Sequence, residues 1–269
     1  MLRRFPEFDV SVGVRRSDFV GTPRADQRNW LLERTLDEFC DELRHLDGLA
    51  KRLVTGSVRP AIDDAWAASR ARYDDRQLVI QGQQVMQDWE RPLMAVLARQ
   101  VAGPDREVLE LGFGMGISAT FLQDAGVRSH TVIEANDEVA AHFERWRAGY
   151  VGRDIRLVRG LWEESMGSLG QFDGILFDTY PASEQEFADH VLNDVTFAAH
   201  FFPHAARHLR PGGVFTYYTN EIDSLGRAHQ RSLLAHFRSF SVEIVRDLRP
   251  PEDCHYWWAD SMAVVRATV

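Results

Sequence analysis

Apolar residues near the start of the chain recur at alternating spacings of three and four positions. The pattern covers residues 29–55 and consists of Leu32, Leu36, Phe39, Leu43, Leu46, Ala50 and Leu53. This spacing predicts one helix with a continuous apolar seam, which the Thr55-Gly56-Ser57 segment would end. The seam either packs against the chain's own domain or joins two copies into a homodimer, and the sequence leaves both readings open.

The pattern changes along the rest of the chain. Residues 61–101 predict two helical pieces with a break near Gly82, and from Val108 onward short apolar runs alternate with amphipathic stretches. The predicted strands are Val108–Leu111, Thr131–Glu134, Ile155–Val158, Gly174–Asp178 and Val214–Tyr218, with Val242–Asp247 and Met262–Ala267 as a closing antiparallel pair. The predicted helices are Ser118–Asp124, Glu138–Arg147, Glu186–Leu209 and Leu225–Phe237. This alternation predicts an α/β sandwich around a mainly parallel sheet over residues 58–269, preceded by an N-terminal helical extension over residues 1–57.

Composition and charge narrow the function. Of the 31 basic residues only Lys51 is a lysine, so the chain has no P-loop, and a Schiff-base enzyme would have to use a residue on the predicted surface helix. The net charge of −9 disfavours nucleic-acid binding and suits a cationic ligand. The cysteines Cys40 and Cys254 are too few for a zinc site or a disulfide framework. The chain lacks a membrane-spanning run and a signal-peptide core, so we expect a cytoplasmic protein with no membrane partner.

A glycine-rich segment carries the strongest local signal. Residues Glu110 to Gly116 read Glu-Leu-Gly-Phe-Gly-Met-Gly, follow a predicted strand and precede a predicted helix. Glycines at such a turn let the backbone approach a ligand closely, but the spacing differs from the dinucleotide pattern at Ile117. Glu110 suits a cationic ligand better than a pyrophosphate, and Glu134 ends the next strand, where a carboxylate can hold ribose hydroxyls. Together these features predict a site for the nucleoside cofactor S-adenosylmethionine.

A second candidate segment, Asp178-Thr179-Tyr180-Pro181, follows the fourth predicted strand. Ligands of open α/β sheets bind at the carboxyl ends of strands, where a carboxylate and an aromatic hydroxyl can orient a nitrogen nucleophile. The same four residues are also typical of an ordinary turn, so on their own they leave both readings open.

From Val58 to Val269 the sequence resembles the guanidinoacetate N-methyltransferase family of class I methyltransferases. The resemblance rests on ordered segments, which include Val85 to Met94, Glu110 to Gly116, Ile133 to Asp137, Gly160 to Glu163, Phe172 to Pro181, Leu209 to Val214 and Pro250 to Tyr256. It implies a methyl transfer from S-adenosylmethionine to a guanidino group.

The resemblance also implies roles for individual residues. The cofactor residues would be Met94, Glu110, Gly112, Phe113, Gly114, Met115, Gly116, Ile117, Ser118, Glu134, Ala135, Asn136, Trp162 and Glu163, with Glu134 on the ribose and Trp162 and Glu163 beside the adenine. The substrate residues would be Trp66, Met86, Tyr180, Asn220 and Glu221, although Trp66, Met86 and Met94 also suit an ordinary helix core. Glu90 and Asp178 would grip the guanidino group, with Asp178 as the base and Glu90 as an orienting charge.

One departure from the family bears on the substrate. The family's substrate loop has a Leu-Thr pair that receives the carboxylate of guanidinoacetate, and this sequence has Asn220-Glu221 there, followed by Asp223. Because acids repel an incoming carboxylate and attract an ammonium group, the sequence favours free L-arginine over guanidinoacetate. The alternatives are guanidinoacetate itself, with Glu221 turned to solvent, then arginine in a protein, and lastly a binding module without catalysis.

The sequence also holds an insertion relative to the family around Val191–Phe202. Within and after it, His200, His204 and His208 fall at i, i+4 and i+8 on the predicted helix Glu186–Leu209. No neighbouring acid or cysteine in the sequence completes a ligand set there, so we expect no metal.

Overall fold

The structure is a computed structural model that describes Ile62 and residues 65–192, 194–219 and 221–269. The helix predicted over residues 29–55 lies outside the described residues, and so do Lys51 and Asn220. The apolar seam and the homodimer built on it therefore stay predictions.

Ten strands form two sheets. They are β1 (Ala71–Tyr73), β2 (Gln77–Ile80), β3 (Gln83–Gln87), β4 (Glu107–Leu111), β5 (Ser129–Glu134), β6 (Asp154–Arg159), β7 (Phe172–Phe177), β8 (Leu209–Thr219), β9 (Ser239–Val245) and β10 (Met262–Thr268). The α-helices are α1 (Arg91–Val101), α2 (Ile117–Asp124), α3 (Asp137–Arg147), α4 (Trp162–Ser165), α5 (Glu184–Glu186), α6 (Phe202–His208) and α7 (Arg227–Leu234). Shorter turns of 3₁₀-helix span Trp66–Ala68, Asp88–Glu90, Met166–Ser168 and Phe197–Phe201, and Phe187–Leu192 is a π-helix.

The large sheet has the strand order β6-β5-β4-β7-β8-β10-β9. Strands β4 to β8 pair in parallel, and β10 pairs antiparallel with both β8 and β9. The predicted α/β sandwich with a mainly parallel sheet and an antiparallel C-terminal strand is thereby confirmed. All seven predicted strands of this sheet are present.

Side chains of the central strands alternate between two apolar layers. In β4, Val108 packs into one layer while Leu109 and Leu111 pack into the other. In β7, Leu176 lies in the first layer and Ile175 and Phe177 in the second. Because both faces of the sheet are covered at its centre, strands β4 and β7 are mostly apolar. This is why the sequence predicts them clearly.

The two helical pieces predicted over residues 61–101 are wrong up to Gln87. Strands β1, β2 and β3 form a small antiparallel sheet there, and only α1 is helical as expected. The predicted break at Gly82 is a two-residue hairpin turn, in which Gln81 and Gly82 both have positive φ angles of 51° and 77°. The small sheet is half exposed and rich in Gln, so it lacks the apolar run that marks a buried strand.

The single helix predicted over Glu186–Leu209 is also wrong. The structure has α5, the π-helix, a 3₁₀-helix and α6 in succession. Thr196 is extended with φ −159° and ψ 150°, and Pro203 lies in the first turn of α6, where its missing N–H costs least. His200 is therefore on a different element from His204 and His208, and the predicted single face is not formed.

The carboxyl ends of β4, β5 and β7 are tied together by backbone hydrogen bonds. The Asp178 N–H donates to the Leu111 carbonyl at 3.0 Å, and the Gly112 N–H donates to the Ile133 carbonyl at 2.9 Å. These bonds bring both candidate segments of the sequence to one edge of the sheet. Every helix in the described part of the chain is too short or too polar to cross a lipid bilayer.

Gly174 shows how tightly α1 packs on the sheet. A Cβ atom at this position would lie 2.7 Å from Cβ of Val101 and 3.1 Å from its carbonyl oxygen. We expect Gly174→Ala to destabilise the protein by about 1–3 kcal/mol, because the strand and the helix would have to separate. Urea unfolding measures the loss. Gly170→Ala is the matched control, since a Cβ there meets nothing within 4 Å, and an equal loss in both variants would contradict this account.

Candidate active site

A cleft opens where the parallel strands end. The glycine loop, the strand ends and one face of the small sheet supply its walls. The sequence-predicted site residues among its lining are Trp66, Met86, Gly112, Gly114, Glu134, Ala135, Trp162, Glu163, Asp178 and Tyr180. The structure also places Glu186 and Tyr218 there, which the sequence analysis did not select.

The glycine loop approaches Asp178 more closely than any other residue type would allow. Gly112 has a φ of +82°, and a Cβ on it would lie 2.0 Å from the Asp178 carbonyl oxygen. The small sheet holds the same loop from the other side, since the Tyr73 hydroxyl donates to the Gly114 carbonyl at 3.1 Å and the Met115 N–H contacts Met86 Sδ at 3.3 Å. The loop backbone is therefore fixed between the two sheets.

Glu134 lies at the end of β5 with its carboxylate in the cleft wall. One oxygen accepts the Phe113 N–H at 2.9 Å and the other accepts the Asn136 N–H at 2.8 Å. Burial raises the pKa of Glu134 above its ordinary value, and these N–H groups work in the opposite direction. Because a carboxylate oxygen can accept more than one hydrogen bond, Glu134 can also bind the hydroxyl groups of a ribose.

These features fit S-adenosylmethionine. The glycine loop offers a backbone with no side chains in the way, Glu134 offers acceptors for a ribose, and the lining holds acidic residues that suit a sulfonium. Among the described lining residues there is no Arg, Lys or His side chain to repel that charge.

Asp178 follows β7 and faces the cleft. Burial and, to a lesser extent, the charge of Glu110 raise the pKa of Asp178 to about 7, while a hydrogen bond from the Tyr218 hydroxyl works against this. Tyr218 is the penultimate residue of β8, so the parallel pairing of β7 and β8 sets the two side chains together.

Glu90 is buried just behind the cleft wall, with only 3% of its surface exposed. One of its oxygens accepts the Gln87 N–H at 2.7 Å and the Tyr256 hydroxyl at 2.5 Å. Burial, and after it the charge of Asp178, raises the pKa of Glu90 to about 8. The structure therefore brings the two predicted carboxylates together, with Asp178 in the cleft and Glu90 beneath it.

Two aromatic rings stack on one side of the cleft. Trp66 and Tyr180 stack with centroids 5.3 Å apart and an angle of 12° between their planes. The Tyr180 hydroxyl donates to the Gln83 side-chain carbonyl at 3.2 Å, which anchors the stack on the small sheet. Planar rings of this kind suit a planar cation such as a guanidinium.

Several residues predicted to bind the cofactor do not line the cleft. Glu110 is fully buried, and its carboxylate accepts a hydrogen bond from Ser118 and contacts His130 Nε2 at 2.8 Å. Asn136 caps α3 and donates to the carbonyls of Trp66 and Ser69. The others outside the lining are Met94, Phe113, Met115, Gly116, Ile117 and Ser118. Their side chains pack the supporting core or shape the loop.

The sequence analysis expected Glu221 to face the cleft, but the structure places its side chain outside the cleft lining. Its carboxylate accepts the Gly226 N–H at 2.5 Å and contacts His229 Nδ1 at 2.5 Å, and His229 Nε2 is 2.6 Å from the Tyr217 hydroxyl. The side chain closes its own loop onto α7 and is committed there. The attraction of Glu221 for an ammonium group therefore loses its basis.

Two tyrosines of the site escaped the sequence analysis. Tyr218 was counted only as a strand residue, and Tyr256 belonged to a segment that resembles the family but received no role. The available signal was the type of residue, a tyrosine at the carboxyl end of a central strand or in a proline-bounded loop. Their partners, Asp178 and Glu90, are distant in sequence, so no local pattern could pair them.

Sequence comparisons agree with this geometry. The sequence model of the guanidinoacetate N-methyltransferase family matches residues 58–268. Protein arginine N-methyltransferase 2 of Kluyveromyces lactis is 29% identical over 192 residues, which cover 64% of this chain and 43% of that protein. The protein of the same name from Saccharomyces cerevisiae is 31% identical over 176 residues, covering 58% and 40%. The chain thus spans about two fifths of the length of these relatives.

Solved structures share the fold. A spermidine synthase in complex with the transition-state analogue AdoDATO superimposes with a TM-score of 0.52 at 16% identity, over 74% of this chain and 72% of that one. Spermidine synthase from Thermotoga maritima gives a TM-score of 0.50 at 14% identity, over 74% and 71%. At such identities the likeness concerns the fold alone.

The glycine loop, the carboxylate at the end of β5 and the acidic residue after β7 occur in this chain within a match that covers nearly all of residues 58–269. The chain belongs to the guanidinoacetate N-methyltransferase family, a family of S-adenosylmethionine-dependent class I methyltransferases.

Proposed function

We propose that this protein methylates a terminal nitrogen of the guanidino group of L-arginine, with S-adenosylmethionine as the methyl donor. The observation that carries the proposal is the carboxylate of Asp178 in a cleft whose described lining has no basic side chain, with the carboxyl group of Glu90 buried behind it. Such a site attracts a cation and has no internal ion pair that a substrate would first have to break.

The length of the substrate follows from where its carboxylate would lie. In guanidinoacetate one methylene separates the carboxylate from the guanidino group, so both groups would sit inside the cleft. There the carboxylate would face Asp178 with no basic lining side chain to offset it. In arginine the carboxylate lies beyond three methylenes and the α-carbon, where it can reach water. The acidic lining therefore favours arginine, on grounds that do not involve Glu221.

Arginine within a protein is a second candidate. The relatives from Kluyveromyces lactis and Saccharomyces cerevisiae are both named protein arginine N-methyltransferase 2, which favours a peptide substrate. The free amino acid and the peptide present the same guanidino end, and they differ only in what stays outside the cleft.

The chemistry assigned to the residues starts from the charge of the reactants. A free guanidinium is always protonated near neutral pH and its nitrogens are poor nucleophiles. S-adenosylmethionine, when bound by the glycine loop and Glu134, supplies a methyl group on a positively charged sulfur. Asp178 holds two N–H groups of the guanidinium, turns one nitrogen toward that methyl group and accepts its proton as the new C–N bond forms.

Glu90 acts from beneath this contact. Its bonds to Gln87 and Tyr256 fix its carboxyl group beneath Asp178. Because the pKa of Glu90 is raised to about 8, the group is mostly protonated near pH 7, and it adds a charge that stabilises the cation once it ionises at higher pH. Trp66 and Tyr180 exclude water from one side and keep the guanidinium planar and oriented.

A methyl-transfer assay with the full chain tests the proposed substrate. We expect L-arginine to give a kcat/KM at least about tenfold above that of guanidinoacetate, because each unpaired buried charge costs more than 1.4 kcal/mol. An arginine-containing peptide is the third arm. A preference for guanidinoacetate would contradict the proposal, and a preference for the peptide would replace the free amino acid with arginine in a protein.

Removing the proposed base tests the mechanism. We expect Asp178→Asn to lower kcat by about a hundredfold or more, since the amide can hold the guanidinium weakly but cannot take its proton. Asp105→Asn, an exposed residue outside the cleft lining, is the matched control and should keep wild-type turnover. Turnover of Asp178→Asn within a few-fold of wild type would remove Asp178 from the role of base.

The pH dependence of the reaction follows from the same carboxylate. Because the raised pKa values of Asp178, about 7, and of Glu90 beside it, about 8, leave both groups mostly protonated and neutral at pH 6, kcat/KM should rise as the pH increases from about 7 to above 8. Tyr218→Phe should move the rise to higher pH, because the lost hydrogen bond stabilises the ionised form. Steady-state rates from pH 6 to 9 measure the pH of the rise in the wild type and in Tyr218→Phe. A flat profile would contradict the role of Asp178 as base, and so would a rise at the same pH in both proteins.

A further inference from the structure

His200 presents a nitrogen that nothing in the described structure satisfies. Its Nδ1 is 2.5 Å from the Phe197 carbonyl oxygen, which can only accept, so Nδ1 carries the proton. Its Nε2 is buried and has no hydrogen-bond partner among the residues that the structure describes. Because Nδ1 carries the proton, Nε2 holds a free lone pair.

Two carboxylates lie close to the His200 ring. One oxygen of Glu163, one oxygen of Glu186 and a nitrogen of His200 all lie within 4.8 Å of one another. Glu163 belongs to α4, Glu186 to α5, and His200 to the 3₁₀-helix within the insertion around Val191–Phe202. Three acceptors from three elements converge, and because an acceptor group needs a donor or a cation, the arrangement is that of a cation site.

We propose that His200, Glu163 and Glu186 bind a divalent transition-metal ion of the Zn²⁺ type. One imidazole with two carboxylates is a ligand set that such ions accept, with a water molecule completing the coordination. Mg²⁺ is a poorer match, since it prefers an all-oxygen octahedral shell.

The surroundings hold the imidazole in place. His190 stacks on His200 with centroids 4.1 Å apart and 14° between the rings, and His190 Nδ1 is 2.7 Å from Asp194. His190 is thus already paired through Nδ1, whereas His200 Nε2 is not. Its neighbour Asp194, together with His190 and His200, forms an alternative ligand group that shares His200.

The site would connect the insertion to the rim of the cleft. Glu163 and Glu186 both line the cleft, while His200 lies on the inserted segment. A bound ion would pin that segment to the rim, a structural role that requires nothing of the methyl transfer. The inference stands independently of the proposed substrate.

Zinc binding to the full, chelator-treated chain tests the site by titration calorimetry with Zn²⁺ alone. We expect one high-affinity ion per chain and little competition from a tenfold excess of Mg²⁺. His200→Ala should weaken zinc binding by at least about tenfold. His236→Ala, an exposed histidine outside the cluster, controls for adventitious imidazole binding and should keep wild-type affinity.

Glu186→Gln separates metal binding from folding. The Glu186 side chain also accepts the Ala182 N–H at 2.7 Å at the start of α5, and a glutamine oxygen can keep that bond. This variant should retain the wild-type melting temperature without metal and still lose at least about tenfold in zinc affinity. Absence of stoichiometric zinc binding, or unchanged affinity in both ligand variants, would overturn the proposal. Loss of binding in His190→Ala with retention in Glu186→Gln would overturn it in favour of the His190, Asp194 and His200 group.

Discussion

The site depends on the close approach of two backbone segments, the glycine loop and the start of the segment after β7. Any side chain at Gly112 would overlap the Asp178 carbonyl, and the Asp178 N–H is bonded to Leu111, the residue before that glycine. The cofactor loop and the proposed base are therefore fixed relative to one another by the sheet itself. A shift in either segment would move both, which makes their geometry a property of the strand ends and not of flexible side chains.

Burying so many carboxylates at one sheet edge requires that each be stabilised, and the fold does this unequally. Glu110 is bonded to Ser118 and His130, Glu134 to backbone N–H groups, and Glu90 to Gln87 and Tyr256. Asp178 receives only the Tyr218 hydroxyl among the residues that the structure describes. The acid with the fewest donors is the one that gains most from a cation brought by a substrate, and this distinguishes Asp178 from its neighbours.

The sequence predicts those features of the fold and the site that are visible in consecutive residues. It does not predict contacts between residues that are distant in sequence. The central strands β4 and β7 are mostly apolar because both faces of the sheet are buried there, whereas β6 and β9 are partly exposed, and the glycine loop is recognisable from seven consecutive residues. Strands β1 to β3 lack such apolar runs, and the sequence pattern therefore predicts helix where the structure has strands. Glu110 and Glu221 were expected to meet ligands, but each carboxylate lies within hydrogen-bond distance of a histidine on another element, His130 or His229, and such pairing has no local signal.

The distribution of arginine explains why the cleft stays acidic in a chain with so many guanidinium groups of its own. At the opposite edge of the sheet, where the strands begin, Arg210 pairs with Glu107 and with Asp173 at 2.8 Å, and Arg128 pairs with Glu107 at 2.8 Å. Glu107 is the first residue of β4 and Asp173 is the second residue of β7, and β7 leads to Asp178 at the cleft end of the sheet. An arginine of the protein within reach of Asp178 would resemble the proposed substrate and occupy its place. Because no Arg, Lys or His side chain belongs to the described lining, the cleft has room for a guanidinium group that the proposed substrate would bring.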